Sequence, residues 1–136
     1  MAQNGMGYFY LVRGNHERAA VHLREALRIR PDYAEARNNL GIVCMKQGLF
    51  EEAIAQYHRA LEISPGDVRF LNNFGVALAC RGRHEEAVGR FREALRIAPD
   101  YREARDNLAK AERELEKSVR RQGRSLKMHL PLDKEC

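Results

Sequence analysis

The chain contains no tryptophan and only four prolines and three cysteines, and aromatic residues make up 7% of its 136 residues. No apolar run approaches the ~20 residues that a membrane-spanning helix needs, so no span is expected. The N-terminus, MAQNGMGYFYLVRG, lacks both a basic start and a cleavable apolar stretch, and so does not read as a signal peptide. Cys44, Cys80 and Cys136 are odd in number and follow no metal-ligand spacing. That speaks against a zinc site or a disulfide framework and for a reducing, cytoplasmic setting. Cys44 falls on an apolar helix face and reads as a small buried thiol. Cys80 reads as facing solvent, and Cys136 as a free terminal thiol.

The residues an enzyme needs are equally sparse. His16 and His84 occupy equivalent places at the starts of two helices, and neither these nor His22, His58 and His129 form an HExxH pattern. Ser64 precedes a helix-breaking proline, while Ser118 and Ser125 lie in or near the tail. The pairs Glu51/Glu52 and Glu85/Glu86 are adjacent helix-start residues, not converging acids. No nucleophile, base and orienting group can be assembled, so no catalysis, metal, cofactor or small-molecule substrate is expected.

Charge is localised. The formal net charge is +5, and residues 117–127, KSVRRQGRSLK, carry all of it with no acid. Residues 1–116 sum to +1 and residues 128–136 to −1, so the body of the chain is nearly neutral. The basic segment lacks the aromatic residues on which bases stack, so nucleic-acid binding is not the favoured use of it.

What the chain has is a period. Gly7, Gly41 and Gly75 stand 34 residues apart. At the same interval stand Gly14, Gly48 and Gly82; Ala19, Ala53 and Ala87; Ala26, Ala60 and Ala94; Leu27, Leu61 and Leu95; Ile29, Ile63 and Ile97; and Pro31, Pro65 and Pro99. A fixed period of this length marks an array in which no single unit can bury its own apolar face. Within each unit the apolar residues have helical spacing, twice, so the pattern predicts seven helices and no strands. In the second unit, Asp32 with Glu35 reads as a capping box, and Gly48 ends the first helix. Glu51 and Glu52 suit the start of the second, and Pro65 breaks it. Helical glycine costs about 1 kcal/mol relative to alanine, so Gly7, Gly41 and Gly75 imply close packing that offsets it.

These residues resemble the tetratricopeptide repeat over about residues 2–116, with Leu40, Gly41, Ala53, Tyr57 and Pro65 in the second unit matching the family pattern and Phe74, Gly75, Ala87, Phe91 and Pro99 in the third. The usual early aromatic is replaced by Gln3, Arg37 and Leu71. The resemblance implies an all-α fold, a right-handed solenoid of antiparallel helix pairs. The expected organisation is a first repeat at 1–33, a second at 34–67, a third at 68–101, a capping helix at 102–122 and a flexible tail at 123–136. HLREALRIRPDYAEARNNL recurs as RFREALRIAPDYREARDNL with 14 identities in 19 positions, so a fourth first-helix begins near Arg102. It then becomes charged around a thin stripe of Leu108, Ala111, Leu115 and Val119, as a capping helix does, with Gly123 as its stop.

In such arrays the first helix of each pair lines a concave groove. The resemblance therefore places Asn38, Asn39, Ile42 and Lys46, Arg69, Asn72, Asn73 and Val76, and Asp106, Asn107 and Lys110 on a peptide-binding face. Asn39, Asn73 and Asn107 share the 34-residue interval, and a carboxamide both donates and accepts. They look like the asparagine ladder of protein O-linked N-acetylglucosamine transferases, and are expected to point into the groove without spending all their bonds inside the chain. Cochaperone members grip a C-terminal carboxylate on these faces. Asn39 and Arg69 match two of that clamp's five sites, while Asn4, Tyr8 and Asn73 depart from it. The expected function is a non-catalytic scaffold binding a protein or peptide. The alternative is a substrate-recruiting segment of a larger, glycosyltransferase-like enzyme. At the N-terminal edge, Tyr8, Phe9, Leu11 and Val12 lack a polar cover. Truncation from a longer protein, or self-association through this edge or the tail, would explain them.

Overall fold

The structure is a computed structural model that describes residues 2–124. Seven helices account for nearly all of it: α1 (Ala2–Val12), α2 (His16–Ile29), α3 (Ala34–Lys46), α4 (Phe50–Ile63), α5 (Val68–Cys80), α6 (His84–Ile97) and α7 (Arg102–Arg124). There is no strand among the described residues.

The turns repeat with the sequence. Within each pair three residues connect the helices, and the glycine at their centre, Gly14, Gly48 or Gly82, has φ of 76°. Only glycine takes that left-handed conformation without a Cβ penalty. Around Gly48 the Gly48 N–H donates to Met45 O (3.1 Å) and the Leu49 N–H to Cys44 O (2.8 Å), closing off carbonyls that the helix end leaves open. Asn15 caps α2 by accepting from the Arg18 N–H at 3.2 Å, and Asp67 caps α5 by accepting from the Arg69 N–H at 3.0 Å. The expected capping box at α3 is not formed. The cap residue there is Tyr33, without a side-chain bond, so Asp32 stands one residue too early. Glu35 is instead drawn to Arg69 of the next pair.

Packing explains the glycine column. A Cβ on Gly41 would lie 2.5 Å from Tyr57 Cε1, one on Gly75 2.4 Å from Phe91 Cε1, and one on Gly7 2.5 Å from Leu23 Cγ. The absent side chain is what lets the two helices of each pair close on a large buried residue of the partner helix. Tyr57, Phe91 and Leu23 are all buried, together with Ala19, Ala53, Ala87, Leu40, Val43, Phe74 and Leu78. Cys44 is also buried, as expected, and is a free thiol. Burial, together with the nearby Glu52 carboxylate, pushes that thiol up to about 11. Cys80 is buried as well, which corrects the solvent-facing reading. The reading of Cys136 falls outside the described residues.

Each pair packs on the next, α2 on α3, α4 on α5 and α6 on α7. In addition the backbones of α1 and α3, of α3 and α5, and of α5 and α7 approach each other, while no even-numbered helix brings its backbone as close to another. The odd helices therefore lie closer together than the even ones. That asymmetry curves the array and puts α1, α3, α5 and α7 on its inner side. α7 closes the array with Ala104 and Ala111 buried and Leu108 and Leu115 half-buried. Two details of the capping helix differ from expectation. Val119 is 59% exposed, so the apolar stripe ends at Leu115. Gly123 does not have a positive φ, and the helix passes through it to Arg124.

Candidate peptide groove

The asparagines of the inner helices form a repeated staple. Asn39 Nδ2 donates to Asn4 Oδ1 at 3.1 Å, Asn73 Nδ2 to Asn38 Oδ1 at 2.9 Å, and Asn107 Nδ2 to Asn72 Oδ1 at 3.0 Å. Each bond joins one inner helix to the preceding inner helix, 35 residues back. The geometry follows from two adjacent columns: the second asparagine of one repeat faces the first asparagine of the repeat before it. Asn4 also donates to the Tyr33 hydroxyl at 3.2 Å. Asn38, Asn39 and Asn72 are buried, and Asn73 and Asn107 are half-buried.

One amide hydrogen of each of Asn39, Asn73 and Asn107 is spent between repeats, which leaves its second amide hydrogen and its carbonyl oxygen without a described partner. Those Oδ1 atoms accept from no described group, and none is among the fully buried unpartnered side-chain atoms. The partner column of Asn4, Asn38 and Asn72 was not recognised as the acceptor set. The signal was the Asn-Asn dipeptide at 38–39 and 72–73, which repeats at the same interval.

Beside the staple lie the other expected groove residues. Ile42 and Val76 are half-buried against the core, and Lys46, Asp106 and Lys110 are exposed. None of these three charged groups has an ion partner among the described residues. Arg69 differs. It donates to Asp67 Oδ2 at 2.8 Å and to the Glu35 carboxylate of the previous repeat. The bonds to Asp67 and Glu35 hold its guanidinium far above its ordinary value. Its charge is thus tied up in a bridge between α3 and α5, which removes one of the two positions shared with the carboxylate clamp.

At the N-terminal edge, Tyr8 is 56% exposed, Phe9 45% and Val12 68%, while Leu11 is half-buried against the core. Arg13 lies over the Phe9 ring at 4.7 Å from its centre. No described helix is long and apolar enough to cross a membrane, and no described group of His, Cys, Asp and Glu side chains could hold a metal ion.

Comparison with known proteins agrees with this architecture. The profile of the tetratricopeptide repeat matches residues 1–66 and, overlapping, 32–100. No curated protein sequence matches the chain. Among solved structures, a Thermobaculum terrenum O-GlcNAc transferase mutant superposes with a TM-score of 0.77 at 26% identity, over 81% of this chain and 21% of that one. The chain thus spans about a fifth of that enzyme. The second TPR domain of human RPAP3, solved with an HSP70 peptide, superposes with a TM-score of 0.77 at 21% identity, over 81% of this chain and 92% of that one. The TPR2B domain of yeast Sti1, in complex with pHsp70, gives 0.79 at 21%, over 83% and 95%. The last two show the fold alone.

Proposed function

The chain belongs to the tetratricopeptide repeat family, and from that premise we propose that it is a non-catalytic interaction module that holds an extended peptide along its odd-numbered helices. The observation that carries this reading is the row of three carboxamide oxygens on α3, α5 and α7 that accept from no described group. Each is fixed in direction by the bond its own amide group makes to the previous repeat. Fixed acceptors at a constant interval suit the backbone N–H groups of an extended chain and lose little conformational freedom when they bind. The HSP70 peptide held by the RPAP3 domain and the pHsp70 complex of the Sti1 domain support peptide binding as the use of this fold.

The test is selection from a random peptide library, followed by affinity measurement on the chain and on a variant carrying Ile42→Arg and Val76→Arg. Both side chains are part-exposed, so the variant should keep its helical circular dichroism. Its affinity for the selected peptides should fall at least tenfold. Undiminished binding would place the peptide elsewhere and sink the proposal.

A second reading has its own support. The likeness to the O-GlcNAc transferase repeats favours a segment that recruits substrates for a glycosyltransferase-like enzyme. Enrichment of serine or threonine at one fixed position of the selected peptides would favour it. Nucleic-acid binding through the basic segment is supported least, because Lys117 and Arg120 are paired with Glu114 and Glu116 at 3.2 and 2.7 Å. A cytoplasmic location remains part of the proposal.

The exposed side chains of Tyr8, Phe9 and Val12 also lead us to propose self-association through the first pair of helices. Sedimentation of the chain should show a concentration-dependent dimer that is lost when Phe9 and Val12 are changed to serine. A monomer at all concentrations would refute it.

A further inference from the structure

The inner face carries two further columns besides the asparagines. One is Tyr8, Ile42, Val76 and Lys110; the other is Leu11, Met45, Ala79 and Arg113. Through α1, α3 and α5 both columns are apolar. Leu11, Ile42, Met45, Val76 and Ala79 rest on the core and are only partly covered, and Tyr8 is exposed. At α7 both columns become cationic together. Lys110 and Arg113 are exposed and have no ion partner among the described residues. The neighbouring acids of α7 are already engaged: Glu112 with Arg92 at 3.1 Å, Glu114 with Lys117 at 3.2 Å and Glu116 with Arg120 at 2.7 Å. Of the α7 carboxylates, Glu103 and Asp106 remain unpaired. Asp106 is one turn before Lys110 and does not form an ion pair with it. The groove is therefore an apolar track that ends in two cations with a single carboxylate close by.

Its spacing selects a backbone conformation. Packed helices lie about 8–10 Å apart, so each column offers one side chain per ~8–10 Å. A β-strand returns a side chain to the same face every ~6.6–6.8 Å and drifts out of register. A polyproline-II segment completes one turn of three residues in ~9.3 Å, and its N–H groups make no internal bonds. It can place one side chain in each repeat and offer one N–H to each carboxamide oxygen.

We propose that the groove selects a polyproline-II-like peptide of about nine residues, with an apolar side chain at every third position and carboxylates at the end that lies against α7. Lys110 and Arg113 determine that specificity by pairing with the carboxylates. This rests on the groove reading above and adds the chemistry of the partner.

The probes are acetylated, amidated, fluorescein-labelled nonapeptides with leucine at every third position and two aspartates at one end or the other. Matched peptides carry lysines in place of the aspartates, or leucine at every second position. In anisotropy titrations of the whole chain, one aspartate orientation should bind at least tenfold more tightly than its lysine counterpart and than the alternating peptide. Lys110→Glu with Arg113→Glu should invert the charge preference without altering the circular dichroism, because both side chains are exposed. Equal binding of aspartate and lysine peptides, abolished by Val76→Arg, would overturn this inference and leave the groove reading standing. Binding that Val76→Arg does not weaken, or no binding by any peptide, would remove both.

Discussion

Replacing Gly75 with leucine should cost about 3 kcal/mol of stability. A Cβ at that position meets Phe91 Cε1, Cζ and Cδ1 at 2.4, 2.7 and 2.8 Å, and Phe91 is 1% exposed, so the ring has nowhere to retreat. The helix-propensity gain of about 1 kcal/mol on losing a glycine is too small to offset the forced separation of α5 and α6. Gly75→Ala should follow the same direction with a smaller loss. Gly89 is the control: it lies within α6 with nothing within 4 Å of a built Cβ, so Gly89→Ala should stabilise by up to about 1 kcal/mol. Phe91→Ala alone should cost about 3–5 kcal/mol, and clearly less when leucine already stands at 75 to fill the space. Urea unfolding of the five variants measures all of this. If Gly75→Leu unfolds no earlier than Gly89→Ala, the close-approach account of the glycine column is wrong.

Changing Asn39, Asn73 and Asn107 together to alanine is expected to cost both stability and binding. Each substitution removes a side-chain bond of 2.9–3.1 Å between repeats, worth about 1 kcal/mol, so the sum is about 3 kcal/mol before any penalty for stranded partners. Asn38 and Asn72 are buried, and losing a donor leaves their Oδ1 atoms unsatisfied, which adds to the cost. The thermal midpoint should therefore fall with peptide affinity, contrary to what the sequence suggests for a ladder facing only a ligand. The two roles separate at Asn73→Asp. That change keeps an acceptor for a peptide N–H but sets a carboxylate against the Asn38 oxygen. It should lower the midpoint while retaining most of the affinity. A triple alanine variant with an unchanged midpoint would show that the inter-repeat bonds contribute nothing.

The arrangement of the candidate groove residues was partly legible in advance. Asn39, Asn73 and Asn107 were recognisable as one column from their spacing, as were Ile42 with Val76 and Lys46, Asp106 and Lys110 as exposed groups on inner helices. Arg69 was not readable in the same way. Its position suggested a cation offered to a ligand, yet Asp67 on its own cap and Glu35 from the preceding repeat claim it first. The capping box failed because the cap residue is Tyr33, one after Asp32, and Glu35 pairs with Arg69 of the next repeat.

By itself, the sequence determined the helices, their turns and their pairing. Those depend on local facts: apolar spacing along one helix, glycine where φ must be positive, proline where a helix must stop, and a missing side chain where two helices meet. Where one residue faces the same residue of the next unit was decided only by the tertiary structure. The direction of each Asn amide, the neutralisation of Arg69 and the burial of Cys80 depend on the offset between successive inner helices. That offset is set by packing along the whole array, so no single 34-residue unit contains it.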